Sequence, residues 1–379
     1  MRIVYLSSAL LALSFLTPAP ALAQASEIDV LRAAIDELRA DYDARIAELE
    51  RRLAVAEQNA AQANYAAQQA PAASTGSGAG AFNPDIGVVF QGALRGVDAA
   101  EDEEEGFLVG ETEVIMSANV DDKFTGYLTA ALAFEDGESE LELEEAWVEA
   151  TALPAGLSAR FGRMFSGIGY LNARHRHTWD FVDQALAYDA FLDGRYVDNG
   201  VQARWLAPTD LFIELSGEIM QGEGDPSGLG AHTLSGNIGG DVGTSHSWLA
   251  GLSRLEQDSG QELTIAHLVW KWAPDGNWRQ RNFIFQSEYL ENRDAFTETG
   301  WYAQAVFQPI PRWRVGARMD ALEMEDDDPR RYSVMLDWSN SEFSRLRLQY
   351  ARNEDASGSG NEWYFQYIHS IGAHGAHTF

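Results

Sequence analysis

Ser344-Arg345-Leu346-Arg347-Leu348-Gln349-Tyr350 sets Leu346, Leu348 and Tyr350 against Arg345, Arg347 and Gln349, one residue of each kind in turn. In an extended chain, successive side chains point to opposite faces, so this stretch makes a strand with one apolar and one polar side. The pattern recurs upstream. Tyr332, Val334, Leu336 and Trp338 alternate with Ser333, Met335 and Asp337. Trp313, Val315, Ala317 and Met319 alternate with Arg312, Arg314, Gly316 and Arg318, and Leu211, Ile213, Leu215 and Ile219 with Phe212, Glu214, Ser216 and Glu218. Residues 261–272 are ambiguous in phase. After Phe82 about sixteen such segments, within a range of fourteen to eighteen, are separated by Gly, Asp, Asn and Pro, and no long helical stripe interrupts them.

Half-apolar strands also build soluble sandwiches, so the connections decide. One set is short: 121–123, 153–156, 207–210, 274–277, 309–311 and 339–341. The other is mostly longer and acidic: 97–106, 135–140, 166–197, 221–231, 254–262, 290–299, 322–330 and 352–361. Short turns on one side and longer loops on the other mark barrels that cross an outer membrane. The expected fold is therefore all-β, a transmembrane antiparallel β-barrel of about sixteen strands over residues 82–379. Trp205, Trp270, Trp272, Trp278, Trp313 and Trp338 fall near strand ends on the short-turn side, where an apolar ring with a wet N–H suits the bilayer interface.

The preceding residues have a different character. Arg2, the apolar run Ile3–Leu16 and Ala21-Leu22-Ala23 read as a signal peptide over 1–23. Residues 24–58 carry Ile28, Leu31, Ile35, Leu38 and Tyr42 in steps of three and four, then Ile46, Leu49, Leu53 and Ala56 after a phase shift. That is a short coiled coil, expected in the periplasm. Residues 59–81, mostly Ala, Gln, Ser and Gly, read as a flexible linker.

The chain has 379 residues, a formal net charge of -31 and no cysteine. Acidity on this scale argues against nucleic acid, whose phosphates need clustered Lys and Arg. No Cys excludes disulfides and thiolate chemistry. No G-x-S-x-G, H-E-x-x-H, Walker loop or dinucleotide fingerprint is present, so neither an enzyme nor a cofactor is expected. Ser245-His246 and His369-Ser370 are adjacent with no orienting acid in view.

The barrel region resembles a proteobacterial outer-membrane family often labelled as porins or as TonB-dependent, zinc-regulated receptors. The likeness is carried by Phe82-Asn83-Pro84-Asp85-Ile86, by the run from Gly162 to Asn172, by Trp179-Asp180-Phe181-Val182-Asp183-Gln184, by the run from Arg204 to Asp210, and by the tail from Ile371 to Phe379. A terminal Phe379 closing a strand with Trp363, Phe365 and Tyr367 resembles the signal read by the barrel-assembly machinery. The resemblance implies a pore in outer-membrane lipid for small hydrophilic solutes or ions. The other readings are a TonB-type or zinc-linked receptor and a structural tether with a closed barrel. A coil and linker stand where TonB receptors keep a globular plug, and the chain is too short for 22 strands, which favours the passive pore. The coil over 26–58 would match a homotrimer.

Two groups of residues are candidates for chemistry. The 166–197 connection mixes Tyr170, Trp179, Phe181, Tyr188 and Phe191 with Asp180, Asp183, Asp189 and Asp193. A loop of this length with this aromatic content packs on something. Folded inward, its acids would face Arg163, Arg204, Arg312, Arg314, Arg318, Arg345 and Arg347, with Glu111 and Glu113 on the early strands (Glu142 and Glu149 join them), as a pore constriction. The second group is His175 with His177 and His374 with His377, spaced as metal ligands could be. Solvated loop histidines are the competing reading.

Overall fold

The computed structural model describes residues 84–98, 105–135, 138–222 and 229–372. The expected signal peptide, coil and linker lie outside these residues, as do His374, His377 and Phe379.

Sixteen antiparallel strands follow one another: β1 (Asp85–Asp98), β2 (Gly106–Val109 and Thr112–Asn119, interrupted at Gly110 and Glu111), β3 (Phe124–Glu135), β4 (Glu138–Ala150), β5 (Leu157–Phe165), β6 (Val197–Leu206), β7 (Phe212–Met220) and β8 (Ala231–Val242). The second half is β9 (His246–Gln257), β10 (Glu262–Trp272), β11 (Asn282–Arg293), β12 (Thr297–Ile310), β13 (Trp313–Glu323), β14 (Arg330–Ser341), β15 (Ser344–Asp355) and β16 (Gly358–Gly372). Each strand pairs with the next. The ring closes where β1 pairs with β16 from Gly87 opposite Gly372 to Asp98 opposite Asn361, while its other edge pairs with both parts of β2. A closed sheet leaves no unpaired edge, the condition for a backbone to sit in lipid. Among the described residues no helix is long and apolar enough to cross a membrane.

The alternation read in the sequence sorts side chains in the sense opposite to a soluble protein. On β15 Leu348 is 51 % and Tyr350 47 % exposed, while Arg347 and Gln349, which alternate with them, are each 1 % exposed. Val315, Val334, Leu336 and Phe365 join Leu348 on the outer surface. Trp205, Trp270, Trp278 and Trp313 are exposed near the short-turn ends, with Trp313 stacked on Trp338. Tyr289, Tyr332, Tyr350 and Trp363 are exposed toward the opposite ends. An apolar band between two aromatic girdles, around a polar interior, is the outer-membrane barrel pattern.

The loop asymmetry is weaker than the sequence implied. The expected long connections 254–262, 290–299 and 352–361 shrink to 258–261, 294–296 and 356–357, because the ladder continues into acidic residues that read as loop. On the other side the expected 274–277 turn widens to 273–281. Polar residues on strand ends beyond the bilayer carry no alternation, so composition alone misplaces the ends. The 166–197 connection is observed as 166–196 and dominates the interior.

Candidate functional site

Residues 166–196 leave β5, cross the interior and return to β6. Their neck is held by buried Asn172, whose amide donates to the carbonyls of Ser166 (2.8 Å) and Tyr196 (2.9 Å) and accepts from the Tyr196 N–H (2.8 Å). This satisfies backbone groups that folding away from water would otherwise orphan.

Wall side chains then hold the loop along its length. Glu218 on β7 accepts from the Gly167 N–H (2.8 Å), and Ser253 on β9 from the Gly169 N–H (3.0 Å). Glu288 on β11 accepts from the Leu171 N–H (3.0 Å), from the Tyr170 N–H and from the Tyr188 hydroxyl (2.5 Å). Beyond them comes a basic wall. Arg314 on β13 reaches Asp180 at 2.7 Å, Arg318 on β13 and Arg331 on β14 both reach Asp183 at 2.7 Å, and Arg347 on β15 donates to the Trp179 carbonyl at 2.8 Å. Burial alone would raise the pKa of Asp183, but Arg318 and Arg331 outweigh it and hold the carboxyl below its ordinary range.

A short helix, α1 (Leu186–Leu192), ends at Asp193 in the left-handed conformation. Its Ala187, Tyr188, Phe191 and Leu192 pack with Leu255, Leu263, Ile265, Leu290, Tyr302 and Leu322. Part of the interior wall is thus apolar where it meets the loop, and polar elsewhere. Between the loop and the wall of β1, β2 and β14–β16 lies a cavity of about 940 Å³ lined by Arg95, Glu111, Asp189, Arg331, Glu354 and others. A second, of about 680 Å³, is bordered by Glu142, Asp193, Asp198 and Gln261.

The remaining expected site residues are placed as follows. Glu111 pairs with Arg176 at 3.3 Å, and Glu113 is fully buried against His175 and His177. Arg204 faces inward onto Glu149, which also holds Arg160 at 2.8 Å. Arg345 stands beside Arg347 and Asp337 on the basic wall. Three residues stand apart. Arg163 shares the outward face of β5 with exposed Phe161 and donates to the Leu143 carbonyl at 2.7 Å. Arg312 is exposed in the turn before β13 with φ 73°. Asp193 is exposed at the end of α1. Sequence reasoning did not assign to the site Arg331, Asp337, Glu288 or Asp320, which pairs with Arg318 at 2.8 Å. Asp337 was legible from its place in the alternation; nothing in the sequence pairs Glu288 with its partners, two backbone N–H groups of the loop and the Tyr188 hydroxyl.

His175 caps a single turn of 3-10 helix (Arg176–Thr178) that contains His177, and the two rings stack with centroids 5.6 Å apart. His175 Nε2 lies 3.0 Å from Glu145 Oε2, and His177 Nδ1 lies 2.9 Å from Glu113 Oε1. Burial disfavours the charged ring of His175, but Glu113, Glu144 and Glu145 outweigh it and hold its pKa well above the imidazole range.

No family model matches the chain. An uncharacterized protein of Aquifex aeolicus (strain VF5) is 30% identical over 346 residues, covering 73% of this chain and 71% of that protein. Among solved structures, Pseudomonas putida OprB in its high-pH form is similar with a TM-score of 0.59 at 9% identity, covering 76% of this chain and 94% of its own. The anion-selective porin of Comamonas acidovorans is similar with a TM-score of 0.53 at 12% identity, over 76% and 99% of the two chains. The outer membrane channel DcaP of Acinetobacter baumannii reaches 0.52 at 10% identity, over 76% and 97%. At these identities the likeness is one of fold.

Proposed function

The chain belongs to the family of the Aquifex aeolicus protein, and from the barrel it builds we propose that it is an outer-membrane channel for passive diffusion of small hydrophilic solutes or ions. The observation that carries this reading is the 166–196 loop, which enters a polar interior and sets acids against wall arginines at Asp180–Arg314 and Asp183–Arg318. A loop that narrows a water-filled barrel and lines it with fixed charge is how such walls sort solutes by size and sign. The fold similarity to porins and an outer membrane channel supports the same reading.

A second reading, a structural envelope barrel with a closed lumen, is favoured by the extent of the loop's fastening, which engages Glu113, Glu218, Glu288, Arg318 and Arg347 on five different strands. Liposome swelling separates the two. Vesicles carrying the folded protein should swell in neutral sugars at rates that fall as the sugar grows. Vesicles that hold the folded protein and swell no faster than bare lipid would support the closed barrel.

A further inference from the structure

We propose that Glu113, His175 and His177, with Glu144 beside them, bind one divalent transition-metal ion that fastens the 166–196 loop to the barrel wall. Three buried atoms at this place make no hydrogen bond. His175 Nε2 faces Glu145 Oε2 at 3.0 Å, so with a metal on the other nitrogen the ring keeps its proton there and offers the Nδ1 lone pair, the place a second proton takes when no metal is bound. That lone pair points at Glu113 Oε2 (3.3 Å) and Glu144 Oε2 (3.7 Å). His175 Nδ1, Glu113 Oε2 and Glu144 Oε2 are all buried, and none makes a hydrogen bond. Three acceptors that face one another out of water need a shared positive centre.

The spacing suits a metal. Ligand atoms from Glu113, His175 and His177 all lie within 4.8 Å of one another. Bonds of ~2.0–2.1 Å in a tetrahedral site put neighbouring ligand atoms about 3.3 Å apart, and His175 Nδ1 and Glu113 Oε2 are separated by 3.3 Å. The carboxylate on the far side of the His175 ring fixes its orientation, as outer carboxylates do for metal-bound histidines. Glu145 is thus a positioning residue. Charge points the same way: among the described residues Arg195, at 3.2 Å from Glu144, is the one guanidinium within ion-pair distance of Glu113, Glu144 or Glu145, with Arg160 farther off on the side of Glu145. Arg176, between the two histidines in sequence, turns away to Glu111. The wall is shaped for this: a register shift in β4 leaves Glu144 without a pairing partner, so that Glu144 and Glu145 are both buried. Two imidazoles with carboxylates select Zn²⁺ or Co²⁺ over Ca²⁺ and Mg²⁺, which take oxygen alone.

Binding is read on the full chain, folded in detergent and stripped with chelator, without any conductance, so its outcome is separate from that of the channel reading. Calorimetric titration with Zn²⁺ should give one saturable ion per chain, and Co²⁺ should give a visible spectrum of a nitrogen-ligated site. Glu113→Gln, His175→Ala and His177→Ala should each weaken binding at least tenfold in chains that keep the heat-modifiable mobility of a folded barrel. Glu113→Gln keeps the side-chain shape and serves if a histidine variant does not fold. Glu145→Gln should weaken binding by about tenfold while leaving the Co²⁺ spectrum and the stoichiometry unchanged. The double variant His374→Ala, His377→Ala should bind like the parent. No saturable binding, binding untouched by Glu113→Gln, or binding lost with His374 and His377 would each overturn the site and leave a proton on His175 as the bridge.

Discussion

The Asp183 carboxylate accepts from Arg318 and Arg331, each at 2.7 Å, and from the amide of Gln349. Removing one partner of a buried ion pair strands the other, at a cost of about 3–5 kcal/mol. Asp183→Asn should therefore release the loop without unfolding the barrel. Limited trypsin digestion of the detergent-folded protein should cut at Arg174, Arg176 or Arg195 in the variant and spare them in the parent; equal cutting would contradict the clamp. The pH dependence has a fixed sign. The folded pKa of Asp183 lies below its ordinary value of 3.8, so its contribution is fully present above that value and is lost as pH falls through the depressed folded pKa. Protection of the loop from an acid-active protease should persist through mildly acidic pH and fail only below the carboxylate range.

At the scale of elements, α1 rests on the wall because residue 300 on β12 has no side chain. A Cβ there would come within 2.8 Å of Ala187 Cβ and 2.6 Å of Leu322 Cδ2. Gly300→Val should push α1 off the wall, costing roughly 1–3 kcal/mol as overpacking does, and should show as faster cleavage of the 166–196 segment in a barrel of unchanged heat-modifiable mobility. Unaltered protection would show that α1 does not depend on this contact. The strands and this loop were legible from the sequence, since period-two alternation and a long aromatic connection are local signals. The inward direction of Glu144 and Glu145 was not, because a register shift breaks the alternation at that point. Arg163 was read as inward, although Phe161, two residues earlier, sets the outward phase of β5. The pairing of His175 with Glu113 joins residues far apart in sequence, and only the inward path of the loop brings His175 to β2, three strands from β5 in the sheet.

For the whole molecule, an apolar exterior around charged walls is stable only in lipid. Leu348 faces out between the Trp313–Trp338 stack and Tyr350. A charge on that face costs ~2–4 kcal/mol at midplane, so Leu348→Arg should lower resistance to urea in lipid vesicles by that amount. A change near zero would remove Leu348 from the lipid-facing band. Single-channel recording in planar bilayers, comparing the parent with a variant in which residues 174–193 are replaced by a short Gly-Ser link, decides whether the interior is a channel narrowed by its own loop. The parent should give discrete conductance steps and the shortened variant larger ones. Silence from both proteins, inserted and folded, would mean that the barrel is not a channel.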